Sequence, residues 1–316
     1  MVEKSDINNV IEVFKDGVFY YFKNFITLSK YMAFPVFGQI LGIIVIAITT
    51  KILMSITPTL VAKYPFFQTT TGILTTVIIS TIPGLIILLR AFWKYLVAYG
   101  SISSMANNLT KTSSIYDLEA HDQVINRSAG QYILLWILFS LFCAISTIPF
   151  FWVPGIVLFV FLILIFQVFT FNEANHNNGN AIEAFKQSFN MIKGHFISTS
   201  LLLAMVFTVG YMIIPNIFST LLLKLPLVDF AIKAFKIPTD FSLLIYDRNF
   251  LVEMIIGTII STFIVMFTLP MRAITWTLWF KKLLPKYNRE LRNTTKKSKV
   301  VKLDQRILDR AMEDYE

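Results

Sequence analysis

One cysteine in 316 residues is too few for an intrachain disulfide, a zinc cluster or a CxxC redox pair. Cys143 falls inside an apolar run, where a thiol is buried and inert. Charge is scarce too: Asp, Glu, Lys and Arg make up 15% of the chain, against about 25% in a soluble domain. Residues 1–25 mix acids with bases (Glu3, Lys4, Asp6, Glu12, Lys15, Asp16), unlike the basic start of a cleavable secretory signal, so the first span is expected to be retained. No Gly-rich phosphate loop with its lysine, no HExxH pair and no GxSxG elbow is present. Glu173 and Glu253 are the carboxylates near span ends, and they form no pair suited to acid/base work. These gaps rank an intramembrane enzyme last and weigh against a proton-coupled carrier.

What the chain does hold is apolar length. Hydrophobic residues make up 55% and the mean hydropathy is +0.65. They are gathered into runs that match a hydrocarbon layer about 30 Å thick, which takes roughly 20 helical residues to cross. Six spans are predicted, over about 29–50, 72–99, 131–150, 152–172, 197–223 and 252–280. The fold class is therefore an all-α transmembrane helical bundle. Pro149, Pro154 and Gly155 mark a tight turn that makes spans three and four a hairpin, with Gly155 expected to supply a positive φ.

Orientation follows from the bases. With the N-terminus inside, the outer segments carry only Lys51, Lys63, Lys224, Lys233, Lys236 and Arg248 of the 28 basic residues, and twelve lie from Arg272 onward. The positive-inside rule then selects an arrangement with both termini cytoplasmic. Trp93, Tyr95, Tyr99, Trp276 and Trp279 are expected in an aromatic belt where spans two and six leave the membrane. The net charge of +9 needs no nucleic acid to explain it. Lys281, Lys282, Lys286, Arg289 and Arg292 directly follow span six, where each base beside an anionic leaflet contributes about 1 kcal/mol, so membrane lipids are the expected partner. Residues 303–315 alternate acids and bases around Ile307, Leu308, Ala311 and Met312 and suggest a short surface helix. Residues 225–237 suggest a helix on the outer leaflet.

Three segments, 10–26, 118–133 and 182–197, align without gaps. At an offset of 171 residues Ile11, Glu12, Phe14, Lys15, Phe25 and Ile26 recur as Ile182, Glu183, Phe185, Lys186, Phe196 and Ile197. At an offset of 64, Glu119, Ala120, Gln123, Asn126, Gly130 and Ile133 recur as Glu183, Ala184, Gln187, Asn190, Gly194 and Ile197. Each reads as an amphipathic helix at the cytoplasmic interface, its apolar stripe in the acyl boundary or against neighbouring spans. In the first and third the stripes are Ile11, Phe14, Val18, Phe22, Phe25 and Ile182, Phe185, Phe189, Ile192, Phe196. Asn9 and Asn180 each stand three residues before a glutamate, as N-caps do, and Gly130 and Gly194 are expected to turn the chain with positive φ. The middle stripe lapses at His121 and Ser128. One membrane domain, 1–285, thus divides into helix-plus-two-span units over about 5–100, 113–172 and 179–280, followed by a basic tail, 286–316.

The segment 181–196, Ala-Ile-Glu-Ala-Phe-Lys-Gln-Ser-Phe followed by Lys-Gly-His-Phe, comes after a Pro-Gly-containing span and a short Asn/Gly-rich loop. In this the chain resembles bacterial membrane proteins of the YciC type. It is also similar to the membrane domain fused to some glycerophosphodiester phosphodiesterases. The likeness covers about residues 5–285 and implies a six-span bacterial inner-membrane protein of a family largely without an assigned biochemical activity. The phosphodiesterase catalytic domain has no counterpart in this chain, so its activity does not carry over.

Arg90 and Lys94 in span two and Arg272 in span six are the bases within long apolar runs. A base at the bilayer centre costs roughly 2.5–3.5 kcal/mol on insertion scales, so it faces headgroups, water or protein. Two readings stand: the side chains snorkel to the inner surface, or Arg90 and Arg272 flank an inward-facing pocket for a lipid phosphate or other anion. His121, His176 and His195 and the Glu173/His176 spacing fall short of a metal site, and no cofactor is implied. The functional expectation is a non-enzymatic membrane protein that organises, senses or moves lipid or another amphiphile. The alternative is a secondary transporter or channel component. A protease-cleavable tag at either terminus is expected to resist cleavage from outside intact cells and to be cut after permeabilisation; cleavage of the C-terminal tag from outside would reverse the topology.

Overall fold

A computed structural model describes residues 4–108, 118–176, 179–223 and 248–313, and every regular element among them is helical. α1 (Lys4–Lys23) leads into α2 (Phe25–Lys63), and a one-turn 3-10 helix (Pro65–Gln68) connects to α3 (Thr70–Asn107). α4 (Leu118–Arg127) precedes α5 (Ala129–Ser146), and a second 3-10 turn (Pro149–Phe151) leads to α6 (Trp152–Leu162) and α7 (Ile165–His176). α8 (Ala181–Lys193) is followed by α9 (Phe196–Phe207), a π-helical turn (Thr208–Ile213), α10 (Ile214–Leu223) and α11 (Arg248–Glu313). Six stretches are long and apolar enough to cross a membrane: Phe25–Leu53, Thr70–Asn107, Ala129–Ser146, Pro149–Asn175, Phe196–Leu221 and Ile255–Arg289. The chain is a multi-pass membrane protein.

The outside of the bundle has the surface that such a solvent requires. On span two Leu74, Ile78, Ile82, Leu85 and Leu89 follow helical spacing and are all exposed. In water so long an apolar stripe would be an aggregation site, whereas acyl chains solvate it. Inside, one core gathers Tyr132, Phe169, Trp276 and Phe280, and a second gathers Tyr21, Leu28, Met32, Ile102 and Met271.

Spans one and two touch through small residues. A Cβ on Gly42 would lie 2.9 Å from the backbone nitrogen of Leu88, and one on Gly84 would lie 2.9 Å from that of Ile46. Gly38, one turn from Gly42, faces Ala91 in the same way. Lipid tails are as apolar as leucine, so spans associate through close backbone packing, and a Gly-x-x-x-Gly face permits it. Gly155 has the same use rather than the expected positive φ: it lies within α6, where a Cβ would fall 2.6 Å from that of Ser146 and block the α5–α6 hairpin. Gly194 likewise ends α8 in right-handed geometry, with φ −87°, and Gly130 lies inside α5.

α1 and α8 bury equivalent faces. Val10, Val13, Gly17, Tyr20 and Tyr21 are buried in α1, and Ala181, Ala184, Ser188, Met191 and Ile192 are buried in α8, each pair separated by 171 residues. The buried rows are shifted from the predicted stripes, because Ile11, Phe22, Ile182 and Phe189 are exposed. α1 lies against span six: Gly17 meets Thr275, and Glu12 accepts from Lys282 at 2.9 Å. Asn180 caps α8, accepting from Glu183 N at 3.1 Å, while the Glu183 carboxylate accepts from Gln187. Asn9 lies inside α1, so no cap forms there. The middle helix differs, burying Leu118 and Ile125.

Two further expectations are corrected. Trp276 and Trp279 are buried in the core rather than set in a belt, and Trp279 Nε1 donates to Thr199 Oγ1 at 3.0 Å. The tail does not begin a separate helix: α11 continues through Glu313 as one 66-residue helix, about 100 Å at 1.5 Å per residue. The outer segment 225–237 lies outside the described residues. Gly42→Leu and Gly84→Leu are each expected to destabilise by about 1–3 kcal/mol through overpacking. Gly130→Ala, which meets open space, is expected not to lower stability. Helical circular dichroism during thermal unfolding of the purified protein checks this, and equal midpoints for the three variants would remove the role given to the glycine contact.

Candidate functional site

Spans two to six line a cavity of about 1180 Å³ that is open to the outside of the bundle, beyond the roughly 300–1,000 Å³ common for small-molecule sites. Its walls are mainly aromatic and aliphatic. Trp136 and Phe166 pack with ring centroids 4.3 Å apart, and Tyr99 meets both edge-on at 5.9 and 5.4 Å. Phe139, Phe159 and Leu203 extend the apolar surface, and Cys143 faces the same space. Behind this wall Gln167 is fully buried and donates from Nε2 to the Tyr99 hydroxyl at 3.2 Å.

Irregular backbone borders the cavity on two sides. Span four breaks at Ile163 and Leu164 between α6 and α7. Ser188 Oγ of α8 donates to the Phe161 carbonyl at 2.7 Å, supplying a partner where the helix ends. Span five carries the π turn Thr208–Ile213. Such turns insert a residue into an α-helix and are frequent at functional sites. Gly210 of this turn faces span six, where a Cβ would make ordinary contacts of 3.4 Å with Met271 and 3.6 Å with Arg272.

Arg272 projects into this space. Nε donates to its own helix at Thr268 O, 3.3 Å away. Nη1 donates to the Tyr211 hydroxyl, and the guanidinium carbon lies 4.4 Å from the Tyr211 ring centroid. Neither partner carries charge. Among the described residues Arg272 is the one charged side chain in the lining, and no carboxylate pairs with it. A smaller cavity of about 480 Å³ lies between spans one, two and six, lined by Gln39, Thr258, Ser261 and Thr262. Tyr95 borders both spaces.

The other sequence-predicted residues go elsewhere. Arg90 is exposed on span two and does not line the cavity, so the two arginines expected to flank one pocket are not brought together. Lys94 lies 3.8 Å from Asp122 Oδ2. Lys281 is half-buried, Lys282 pairs with Glu12, and Lys286 and Arg289 are exposed. The Arg292, His176 and Glu253 side chains lie outside the described residues. Glu173 is buried and accepts from Gly179 N at 2.9 Å.

Sequence reasoning missed Tyr211 and Asp122. Asp122 Oδ1 accepts from Tyr31 of span one and from Ser101 of span two, the latter at 2.7 Å. One residue earlier, His121 Nδ1 and Ser104 Oγ are 2.9 Å apart. The lapse of the middle stripe was the signal available: a helix that turns His121 and Asp122 toward spans one and two has its polar face inward. Asp122→Ala is expected to lower stability by about 1–3 kcal/mol, because two hydroxyls lose a charged acceptor. Lys94→Gln should cost about 0–1 kcal/mol, as expected for a half-exposed pair. Thermal midpoints of the two variants check the order, and a larger loss for the lysine variant would reverse it.

Comparison of the chain with protein-family models, with curated proteins and with solved structures finds no match.

Proposed function

We propose that this protein organises, senses or moves an amphiphile of the membrane, holding its apolar part in the cavity between spans two and six. One observation carries the reading: about 1180 Å³ of space walled mainly by aromatic and aliphatic side chains, within a bundle whose own exterior is apolar. Such a space favours a hydrocarbon chain over a polar solute, because water held there gains few hydrogen bonds. The same reading places both termini in the cytoplasm of a bacterial inner membrane, as the basic residues and the likeness to the YciC type suggest. Lys281, Lys282, Lys286, Arg289 and Arg292 would then contact the anionic leaflet. The matching buried faces of α1 and α8 support descent of the chain from repeated helix-plus-two-span units. No catalytic role is assigned.

A secondary carrier is the second reading, favoured by the break in span four and the π turn in span five. Interrupted spans line the substrate sites of many carriers and can repack during alternating access. Two measurements test these readings. Native mass spectrometry of the purified protein is expected to find retained amphiphile, and Ala204→Phe, which adds a ring at the cavity wall, is expected to reduce that occupancy by at least about tenfold with the thermal midpoint kept. Unchanged occupancy in that variant would remove the cavity reading. Reconstitution in liposomes separates moving from holding: protein-dependent transfer of a labelled lipid between leaflets supports a carrier, and its absence alongside retained lipid supports a static organiser or sensor.

A further inference from the structure

We infer that the amphiphile carries an acidic head, a phosphate or carboxylate, and that Arg272 binds it while the chain lies against the rings of spans three and four. The inference rests on the cavity being an amphiphile site and adds the chemistry of the head. Arginine stays charged in any protein environment, and a charge in an apolar surrounding needs a counter-charge, water or a headgroup. Among the described residues Arg272 hydrogen-bonds to a carbonyl and a phenol alone. Donation to Thr268 O and Tyr211 Oη leaves one Nη1 hydrogen and both Nη2 hydrogens without an acceptor among the described residues. These are the donors of the planar fork that matches two oxygens of a carboxylate or phosphate.

Charge complementarity sets the sign of the ligand. Among the described residues no Asp, Glu, Lys or second Arg lines the space, so none of them repels an anion or neutralises the guanidinium, while a cationic head would meet Arg272 unshielded. A free inorganic anion would satisfy the fork but leave the aromatic wall uncovered. An acidic head on an alkyl chain satisfies both surfaces. Tyr211 borders the fork, its hydroxyl accepting one Nη1 hydrogen and its ring centroid 4.4 Å from the guanidinium carbon. The π turn carries Tyr211 beside Gly210, which faces Met271 and Arg272 of span six.

The cavity reports on itself, because Trp136, Trp152 and Trp276 line it. In nanodiscs of phosphatidylcholine, the protein is titrated with bromododecyl phosphate, bromododecanol or bromododecyl trimethylammonium, whose bromine quenches nearby tryptophan. Saturable quenching is expected with the phosphate at concentrations at least about tenfold below those needed for the alcohol or the ammonium, as loss of a charge-assisted pair implies. Arg272→Gln should abolish that preference and keep binding of the alcohol, Arg272→Lys should retain part of it, and Arg90→Gln should leave it unchanged. Inorganic phosphate should not compete at equal concentration; full competition by it would make the site an anion site and overturn the amphiphile. Saturable quenching without regard to head charge, or an unchanged preference in Arg272→Gln, would overturn the acidic head while leaving the cavity reading in place. No saturable quenching by any of the three probes would overturn the cavity reading itself, and the acidic head with it.

Discussion

A hydrocarbon layer offers no hydrogen bonds, so each backbone amide and carbonyl that enters it must be satisfied within the protein, and this constraint governs the architecture. Continuous helices satisfy it without help from other elements. Every departure from a continuous helix needs a local substitute, and the structure supplies one at each departure described above. At Asn24, between α1 and α2, the side-chain amide donates to Tyr20 O at 2.9 Å while the backbone nitrogen is shared between Tyr20 O and Tyr21 O. At the break in span four the Ser188 hydroxyl reaches the Phe161 carbonyl. In span five the π turn changes the pairing pattern without abandoning it. Two of these three departures border the large cavity. Irregular backbone at membrane depth is tolerated where protein or a cavity surrounds it, so the same condition that makes the rest of the bundle regular concentrates its irregularity around one space.

Charge obeys a parallel constraint, and the bundle meets it in two ways. Lys94 and Asp122 lie near each other, with hydroxyls of Tyr31 and Ser101 completing the carboxylate's shell. That arrangement is closed: each polar group has a partner, and its effect is to fix α4 against spans one and two. Arg272 is open, because its partners are neutral and it faces a large space. The contrast separates a structural charge from a candidate binding charge better than depth in the bilayer does. Lys94 and Arg272 look alike as bases in apolar runs, and only the partners distinguish them.

Hydropathy alone carried the six spans, since their lengths are set by the bilayer and leave little room for another fold. The turn between spans three and four was legible through Pro149 and Pro154, and the cap of α8 through Asn180. Features that depend on tertiary contact were not legible. Gly155, Gly130 and Gly194 gave no left-handed turns, because a glycine in a membrane helix serves close approach as readily as positive φ, and the chain itself does not say which. Of the aromatics assigned to a belt, Trp276 and Trp279 turned inward, and Trp279 finds Thr199 as Tyr99 finds Gln167, partners remote in sequence. For the same reason Arg90 could not be told from Arg272: both stand in apolar runs, but the face of span two that carries Arg90 looks outward. Tyr211 had no sequence signal beyond a polar tip in an apolar run.

The middle amphipathic helix shows how one plan can serve different ends. α1 and α8 bury the same five positions and keep an apolar row outward, so both wedge against spans while meeting lipid. α4 buries Leu118 and Ile125 and directs Asp122 to spans one and two. A helix with an apolar row outward needs no polar partner on that side, since lipid covers it. A helix held by a carboxylate with two hydroxyl donors is tied to its neighbours, because separation strands polar groups. If the chain arose from repeated units, the loss of the middle stripe is the change that gave the bundle its polar tie between α4 and spans one and two.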